Sequence, residues 1–567
     1  MTDPLSPLLH LKSLEISFPR EKGWQKVVQG ASLDIFPGEL SALVGESGSG
    51  KTLLARALVG LMPEGARITG GEILYKTQNL LMGGVNAFKA VRGQEIGFIF
   101  QEPLSSLNPA VKIGVQLTEA LQYHKKLPPE TCRERAVEML AKVQIPTPEM
   151  VMDKYPHELS GGMRQRVMIA TSLILAPSLL IADEPTTALD MIVQEEVLLL
   201  MKEIALEMGT AVLLITHDLG AVATLCDRVS VMNKGRIVEQ GQVENILRSP
   251  QNIYTRRLLE ASPQALEEYG KRSRGQARAP ILEVRDLTVA FADRRCGLFG
   301  SRKSVAALEK VSFTISQGET LAIIGESGSG KTTLSRTIAG FIPPTSGDLW
   351  FQGQDIQFIF QDPFGSLDPR MRVRDIVAEG LLFNAKLPAA DRRGKVEKAL
   401  ADVKLDAAFL DRFPHQLSGG QRQRVSIARA IVTDPDFIIA DEPVSALDLT
   451  VQKQILDLLL ELKQKIGFAC LFVSHDLGVV EHIADRVGVL YRGCLVEIGP
   501  AEAVFNRPHH EYTRRLLTAT PRLTKTAEGG YALQRRDFTG GAAPALKSDR
   551  EPAVTYNKVG EDHFVAS

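Results

Sequence analysis

Apolar residues in this chain cluster in two registers. Short unbroken runs recur at Leu40–Val44 and 321–324, at Leu179-Leu180-Ile181-Ala182 and Phe437-Ile438-Ile439-Ala440, and at Leu213-Leu214-Ile215 and Leu471-Phe472-Val473. None shows the polar alternation of a half-exposed strand, so each predicts a strand covered on both faces of a mainly parallel sheet. Between the runs, residues 53–60, 333–340, 129–143 and 389–403 place apolar side chains at helical spacing among Ala, Glu, Arg and Lys, which predicts helices. Strands alternating with helices make the fold class α/β.

The two registers repeat as a block. The octapeptide Gly-Glu-Ser-Gly-Ser-Gly-Lys-Thr follows the first strand of each half, as Gly45, Glu46, Ser47, Gly48, Ser49, Gly50, Lys51 and Thr52, and as Gly325, Glu326, Ser327, Gly328, Ser329, Gly330, Lys331 and Thr332. A glycine-rich turn between strand and helix turns backbone N–H groups into a cavity of phosphate size, and the helix N-terminus adds partial positive charge. Lys51 and Lys331 are placed to reach the β- and γ-phosphates of a nucleotide, and Thr52 and Thr332 to hold Mg²⁺. The second octapeptide follows the first by 280 positions, whereas Ser418 follows Ser160 by only 258. The second copy therefore lacks 22 residues, chiefly a counterpart of 80–94, which lies away from the phosphate-binding residues.

Further polar groups close the predicted strands. Asp183-Glu184 and Asp441-Glu442 end apolar runs; Asp183 and Asp441 suit Mg²⁺, which prefers carboxylate and phosphate oxygens, and Glu184 and Glu442 are the candidates to polarise an attacking water. His217 and His475 follow the next strands, and Gln101 and Gln361 follow Phe-Ile-Phe in both halves. An imidazole there can hydrogen-bond a γ-phosphate and the glutamate; an amide can touch both Mg²⁺ and water. Alone, each is as readily a structural hydrogen-bonding residue at a strand end. Ser160, Gly161 and Gly162, and Ser418, Gly419 and Gly420, open helices as N-caps that bare N–H groups, a second phosphate-binding device in each half.

Composition sets limits. A chain of 567 residues exceeds one core, and halves of about 250 residues fit single domains. With 66 basic and 67 acidic side chains, no net field attracts polyanions, so nucleic acid is not an expected partner. No apolar run reaches membrane-spanning length, and the start, Met-Thr-Asp-Pro-Leu-Ser, lacks a positive n-region, so a cytosolic or cytosol-facing chain is expected. Cys132, Cys226, Cys296, Cys470 and Cys494 show no paired spacing and read as reduced packing residues.

In order, the motifs resemble the ATP-binding cassette family, over nearly the whole chain outside a linker and a C-terminal tail. The resemblance implies two tandem P-loop NTPase domains at 1–262 and 281–521, joined by a linker at 263–280 and followed by a partly disordered tail at 522–567. Each domain would have a mainly parallel sheet core, an antiparallel β subdomain and an inserted helical subdomain. It implies head-to-tail pairing, with Lys51 sharing a nucleotide with Ser418, Gly419 and Gly420, and Lys331 with Ser160, Gly161 and Gly162. It also implies an adenine-stacking aromatic, best matched by Phe18 and Phe291, with Trp24 an alternative and a plain core phenylalanine a competitor. Ala188-Leu189-Asp190 and Ala446-Leu447-Asp448 match its D-loop. Ser-Ser-Leu-Asn-Pro, Gly-Ser-Leu-Asp-Pro and the twice-occurring Tyr-Thr-Arg-Arg-Leu-Leu, at 254–259 and 512–517, are similar to the peptide/opine/nickel importer branch.

That likeness implies an ATPase using ATP and Mg²⁺, peripheral on the cytoplasmic face of a bacterial inner membrane. Its partners would be two non-identical permease subunits and, through them, a solute-binding protein. No cysteine-rich segment follows the tail motif, so no iron–sulfur cluster is expected. The alternative is a soluble twin-cassette ATPase acting on ribosomes; such proteins usually carry a long charged helical linker, which 263–280 does not offer.

Overall fold

The computed structural model describes residues 6–20, 23–101, 106–186, 189–262, 279–292, 304–382, 388–445, 447–526, 529–536, 538, 556–560 and 562–566. They divide into two compact units: Met1–Ser262 with Leu523–Gln534, and Pro263–Arg522 with Arg535–Ser567. The expected linker lies outside the described residues except for its last two positions.

The first unit has two sheets. Strands β1 (Leu9–Arg20), β2 (Gly23–Ile35), β4 (Arg67–Tyr75) and β5 (Gln78–Asn79) form an antiparallel sheet ordered β2-β1-β4-β5. The second sheet comprises β3 (Leu40–Val44), β6 (Ile96–Ile99), β7 (Leu179–Asp183), β8 (Ala211–Ile215), β9 (Arg228–Asn233) and β10 (Arg236–Gln242), ordered β10-β9-β3-β8-β7-β6. All its pairings are parallel except β9 with β10. The period of two explains the unbroken apolar runs: Leu179 and Ile181 enter one core, while Leu180 and Ala182 enter the other on the opposite face. Full burial of each such leucine or isoleucine contributes about 1.5–3 kcal/mol, which fixes the strand between two apolar layers. The layer on one side includes helices Ile113–Ala120, Pro129–Lys142 and Gly161–Leu173, inserted between β6 and β7.

The stretch missing from the second copy forms helix Gly84–Val91, and Ala87, Phe88 and Val91 are buried. Phe88 lies on Gly60, where a Cβ would approach its ring to 2.6 Å. Arg92, just after the helix, donates through Nε and Nη2 to Val59 O at 3.0 and 2.7 Å. It thereby satisfies a carbonyl at the end of the phosphate-loop helix Lys51–Leu58. Among the described residues the second unit has nothing corresponding, and Phe341 remains 57% exposed, stacked on Phe360 at 6.1 Å.

The second unit repeats the plan with β11 (Pro280–Ala292), β12 (Ser304–Ser316) and β14 (Ser346–Phe351) in one sheet. The other holds β13 (Thr320–Ile324), β15 (Ile356–Ile359), β16 (Phe437–Asp441), β17 (Ala469–Val473), β18 (Arg486–Tyr491) and β19 (Cys494–Pro500). This sheet reaches eight strands because the C-terminal residues β22 (Tyr556–Gly560) and β23 (His563–Ala566) extend it beyond β19. His563 Nε2 meets the fully buried Glu497 at 2.8 Å there, so an edge strand gains a cover and a buried carboxylate gains a partner. Another hairpin, β20 (Arg522–Lys525) with β21 (Tyr531–Gln534), packs with the first unit, where Gly530 leaves no room for a Cβ against Arg248 O. The described residues of the tail thus form four strands, β20 to β23.

No described helix is long and apolar enough to cross a membrane. Cys132, Cys226 and Cys470 are free thiols, and Cys296 lies outside the described residues. Burial pushes the Cys226 and Cys470 thiols up to about 12, which keeps them protonated and unreactive.

Candidate functional site

Each phosphate loop leaves its central strand at the C-terminal edge of the parallel sheet and ends in a helix starting at Lys51 or Lys331. Gly50 and Gly330 precede these helices at φ +104° and +110°, a conformation that disfavours any side chain. A Cβ on Gly330 would also stand 2.6 Å from Ala307 O. The lysines are buried and fold back onto the loops: Lys51 Nζ donates to Gly45 O and Glu46 O at 2.8 and 2.9 Å, and Lys331 Nζ to Gly325 O and Glu326 O at 2.7 and 2.8 Å. The Ser49 and Ser329 hydroxyl oxygens are buried in the loops with no partner among the described residues.

The acidic residues differ slightly between units. Thr52 Oγ1 donates to Asp183 Oδ1 at 3.2 Å, joining the two residues expected to hold a metal. In the second unit Ser335, where the first has Ala55, donates to Asp441 Oδ2 at 3.1 Å, while Asp441 Oδ1 is buried without a described partner. Burial raises Asp183 to about 6 against the opposing Thr52 hydrogen bond, with the Glu184 charge adding to the rise. Burial likewise raises Asp441. Both carboxylates are therefore short of stabilising positive charge. The hydroxyl and carboxylate set, with an orphaned oxygen at Asp441, fits a hard divalent cation such as Mg²⁺.

Next to them, one three-residue arrangement occurs twice. Gln101 Nε2 donates to Glu184 Oε2 at 2.8 Å, and His217 Nδ1 lies 3.5 Å from Glu184 Oε1. Gln361 Nε2 donates to Glu442 Oε2 at 2.8 Å, and His475 Nδ1 lies 3.2 Å from Glu442 Oε1. His217 is raised above its ordinary value, chiefly by the Glu184 hydrogen bond acting against burial. At His475 burial is the largest single influence and lowers it, but the hydrogen bond and charge of Glu442 outweigh burial and the net direction is upward. Burial pushes Glu442 up, yet His475 and Lys331 hold it below the usual range. Both glutamates adopt φ +47°, a left-handed conformation costly for a residue with a side chain. The sequence carries no signal for this strain, which turns each carboxylate away from its strand toward Gln and His.

Ser160 and Ser418 cap their helices. Ser160 Oγ accepts from Met163 N, and Ser418 Oγ from Gln421 N, both at 3.3 Å. Only in the second unit does Gln421 Oε1 accept in return from Ser418 N, at 2.9 Å, since Met163 has no group for this. Gly162 and Gly420 allow close packing, for a Cβ would lie 2.8 and 2.5 Å from Val193 and Val451. Gly161 and Gly419 have room, with the nearest contact at 3.7 Å. Ala188 and Ala446 of the D-loop match lie outside the described residues.

Phe18 is half-buried and Phe291 is 47% exposed, in equivalent positions on β1 and β11. Each lies two residues beyond a partner of the strand that touches its phosphate loop: Ile16 pairs with Val28, beside Gly50, and Val289 pairs with Leu308, beside Gly330. Trp24 is 49% exposed, with the Arg67 guanidinium 5.4 Å from its ring. Sequence reasoning missed Ser335, whose role shows only once the helix places it against Asp441.

The family model "ABC transporter" matches residues 28–187 and 308–445, and the model "Oligopeptide/dipeptide transporter, C-terminal region" matches 238–296 and 496–540. The chain is 41% identical to the "Glutathione import ATP-binding protein GsiA" of Shigella dysenteriae serotype 1 (strain Sd197) and to that of Escherichia coli (strain K12), over 99% of this chain and 96% of each relative. A solved structure titled "RNase-L Inhibitor" aligns with a TM-score of 0.61 at 20% identity, covering 93% of this chain and 97% of its own, a likeness of fold.

Proposed function

This chain belongs to the ABC transporter family, and from that premise we propose that it is the ATP-hydrolysing subunit of a bacterial importer of peptides or peptide-like solutes such as glutathione. The chain is an ATPase with two cassettes. The observation that carries the mechanistic reading is the duplicated grip of Gln and His on a strained Glu beside a buried Asp and a phosphate-loop Lys.

Lys51 and Lys331 exchange loop carbonyls for the β- and γ-phosphate oxygens of ATP. Thr52, Asp183 and Gln101 in one unit, and Thr332, Asp441 and Gln361 in the other, would hold Mg²⁺, which when bound neutralises charge on the phosphates. Glu184 and Glu442 orient a water and draw on its proton as its oxygen bonds to the γ-phosphorus; the bond to the β-phosphate oxygen breaks, giving ADP and phosphate. His217 and His475 keep the glutamates aimed and hydrogen-bond the γ-phosphate. Phe18 and Phe291 stack on adenine. In the head-to-tail pairing, Ser160, Gly161 and Gly162, and Ser418, Gly419 and Gly420, present helix N-termini to the nucleotide held by the other cassette.

The relatives' name, an import ATP-binding protein, and the transporter C-terminal match favour import. The chain then acts on the cytoplasmic face of the inner membrane, peripheral to two non-identical permease subunits served by a solute-binding protein. Fractionation of the source cells tests this. Sedimentation with membranes, together with the permease, is expected; sedimentation with ribosomes would overturn it in favour of a ribosome-acting twin cassette.

A further inference from the structure

Tyr254 and Tyr512 begin the same run, Tyr-Thr-Arg-Arg-Leu-Leu, and both hydroxyls end on a phosphate loop. The Glu46 backbone N–H donates to Tyr254 Oη at 3.1 Å, and the Glu326 N–H to Tyr512 Oη at 3.0 Å. The same two peptide units, Gly45–Glu46 and Gly325–Glu326, offer their carbonyls to Lys51 and Lys331. A trans peptide is planar, with N–H and C=O pointing opposite ways, so tyrosine and lysine hold one rigid plate from its two edges.

The tyrosines are themselves anchored by one construction used twice. Glu239 Oε1 and Oε2 accept from the N–H groups of Gln251 and Asn252 at 2.7 and 3.1 Å; Glu497 does the same for His509 and His510 at 2.9 and 3.0 Å. Asn252 Oδ1 and His510 Nδ1 then cap the N–H groups of Tyr254 and Tyr512. Arg256 and Arg514 close the turn onto Pro250 O and Pro508 O at 2.8 and 3.0 Å. Tyr512 is fully buried, and its ring lies 4.2 Å from that of Tyr491.

We propose that Tyr254 and Tyr512 are positioning residues for ATP binding: each hydroxyl fixes the first peptide of its phosphate loop and thereby sets the lysine and the row of N–H donors that follow. The region after each cassette is thus wired to the nucleotide. The inference rests on the ATPase reading alone, not on import. Neither tyrosine touches the reacting atoms, so removing the hydroxyl weakens nucleotide binding and spares the chemical step.

The test is Tyr254→Phe/Tyr512→Phe in the full chain, with ATP affinity by titration and steady-state hydrolysis measured beside the native protein. Losing one hydrogen bond per site is expected to raise the Kd and KM for ATP about fivefold with kcat within about twofold of native. A packing role for the ring predicts that phenylalanine is silent, so Kd and KM within about twofold of native would overturn the inference. Should the double variant fold poorly, Tyr512→Phe alone, with its ring still against Tyr491, is titrated against the same criterion. Native hydrolysis is the control: its absence would refute the ATPase reading, and the titration would still decide this one.

Discussion

Glu184 and Glu442 show how residue chemistry depends on backbone geometry. At φ +47° each gives up local comfort to meet a glutamine amide and an imidazole. Replacing the carboxylate by an amide keeps the shape and removes the base. We expect Glu184→Gln and Glu442→Gln each to lower ATP turnover, and the double variant to lose about 100-fold or more in kcat with ATP binding retained; full turnover in Glu442→Gln would contradict two working sites. The same contact fixes a titration. A histidine raised by a glutamate stays protonated to higher pH, so NMR of labelled histidine should show His475 titrating above the ordinary histidine range and moving to lower pH in Glu442→Gln. An unchanged midpoint would mean the two side chains do not interact in solution. That these side chains belong to one recurring set was legible, because strand ends followed by Asp-Glu, His or Gln recur in both halves; the structure brings them into contact. The strain, the Ser335 contact and the tyrosine hydroxyls were not legible, since each arises from atoms far apart in the chain.

At the scale of elements, apolar periodicity located the strands within a residue or two: 321–324 became Thr320–Ile324, and the helix expected over 53–60 begins at Lys51, where the loop's last glycine releases the chain. Edge additions were illegible, because β22 and β23 are only five and four residues long and gain their order from pairing, β23 with β19 and β22 with β23. The inserted helix Gly84–Val91 was visible only as a length difference, yet Phe88 belongs to the core around Leu54 and Leu58. Phe88→Ala should therefore destabilise the chain by about 3 kcal/mol, read as a lower urea midpoint, whereas a surface role would leave the midpoint unchanged.

For the whole molecule, duplication is the strongest sequence signal and the head-to-tail pairing its main proposal. Gly419 has space for a side chain within its own unit, which makes Gly419→Asp a test of what that helix N-terminus faces. Combined with Lys51→Ala, it should cost no more turnover than Lys51→Ala alone, because both act on one nucleotide; additive losses would indicate independent sites. The measurement that tests the central claim most directly is ATP-driven uptake of a labelled short peptide or glutathione by proteoliposomes holding the copurified permease, this chain and ATP, with the solute-binding protein outside. Uptake with the native chain and none with Glu184→Gln/Glu442→Gln is the predicted result. Equal uptake with both, or steady hydrolysis by the native chain without uptake of any such solute, would contradict it.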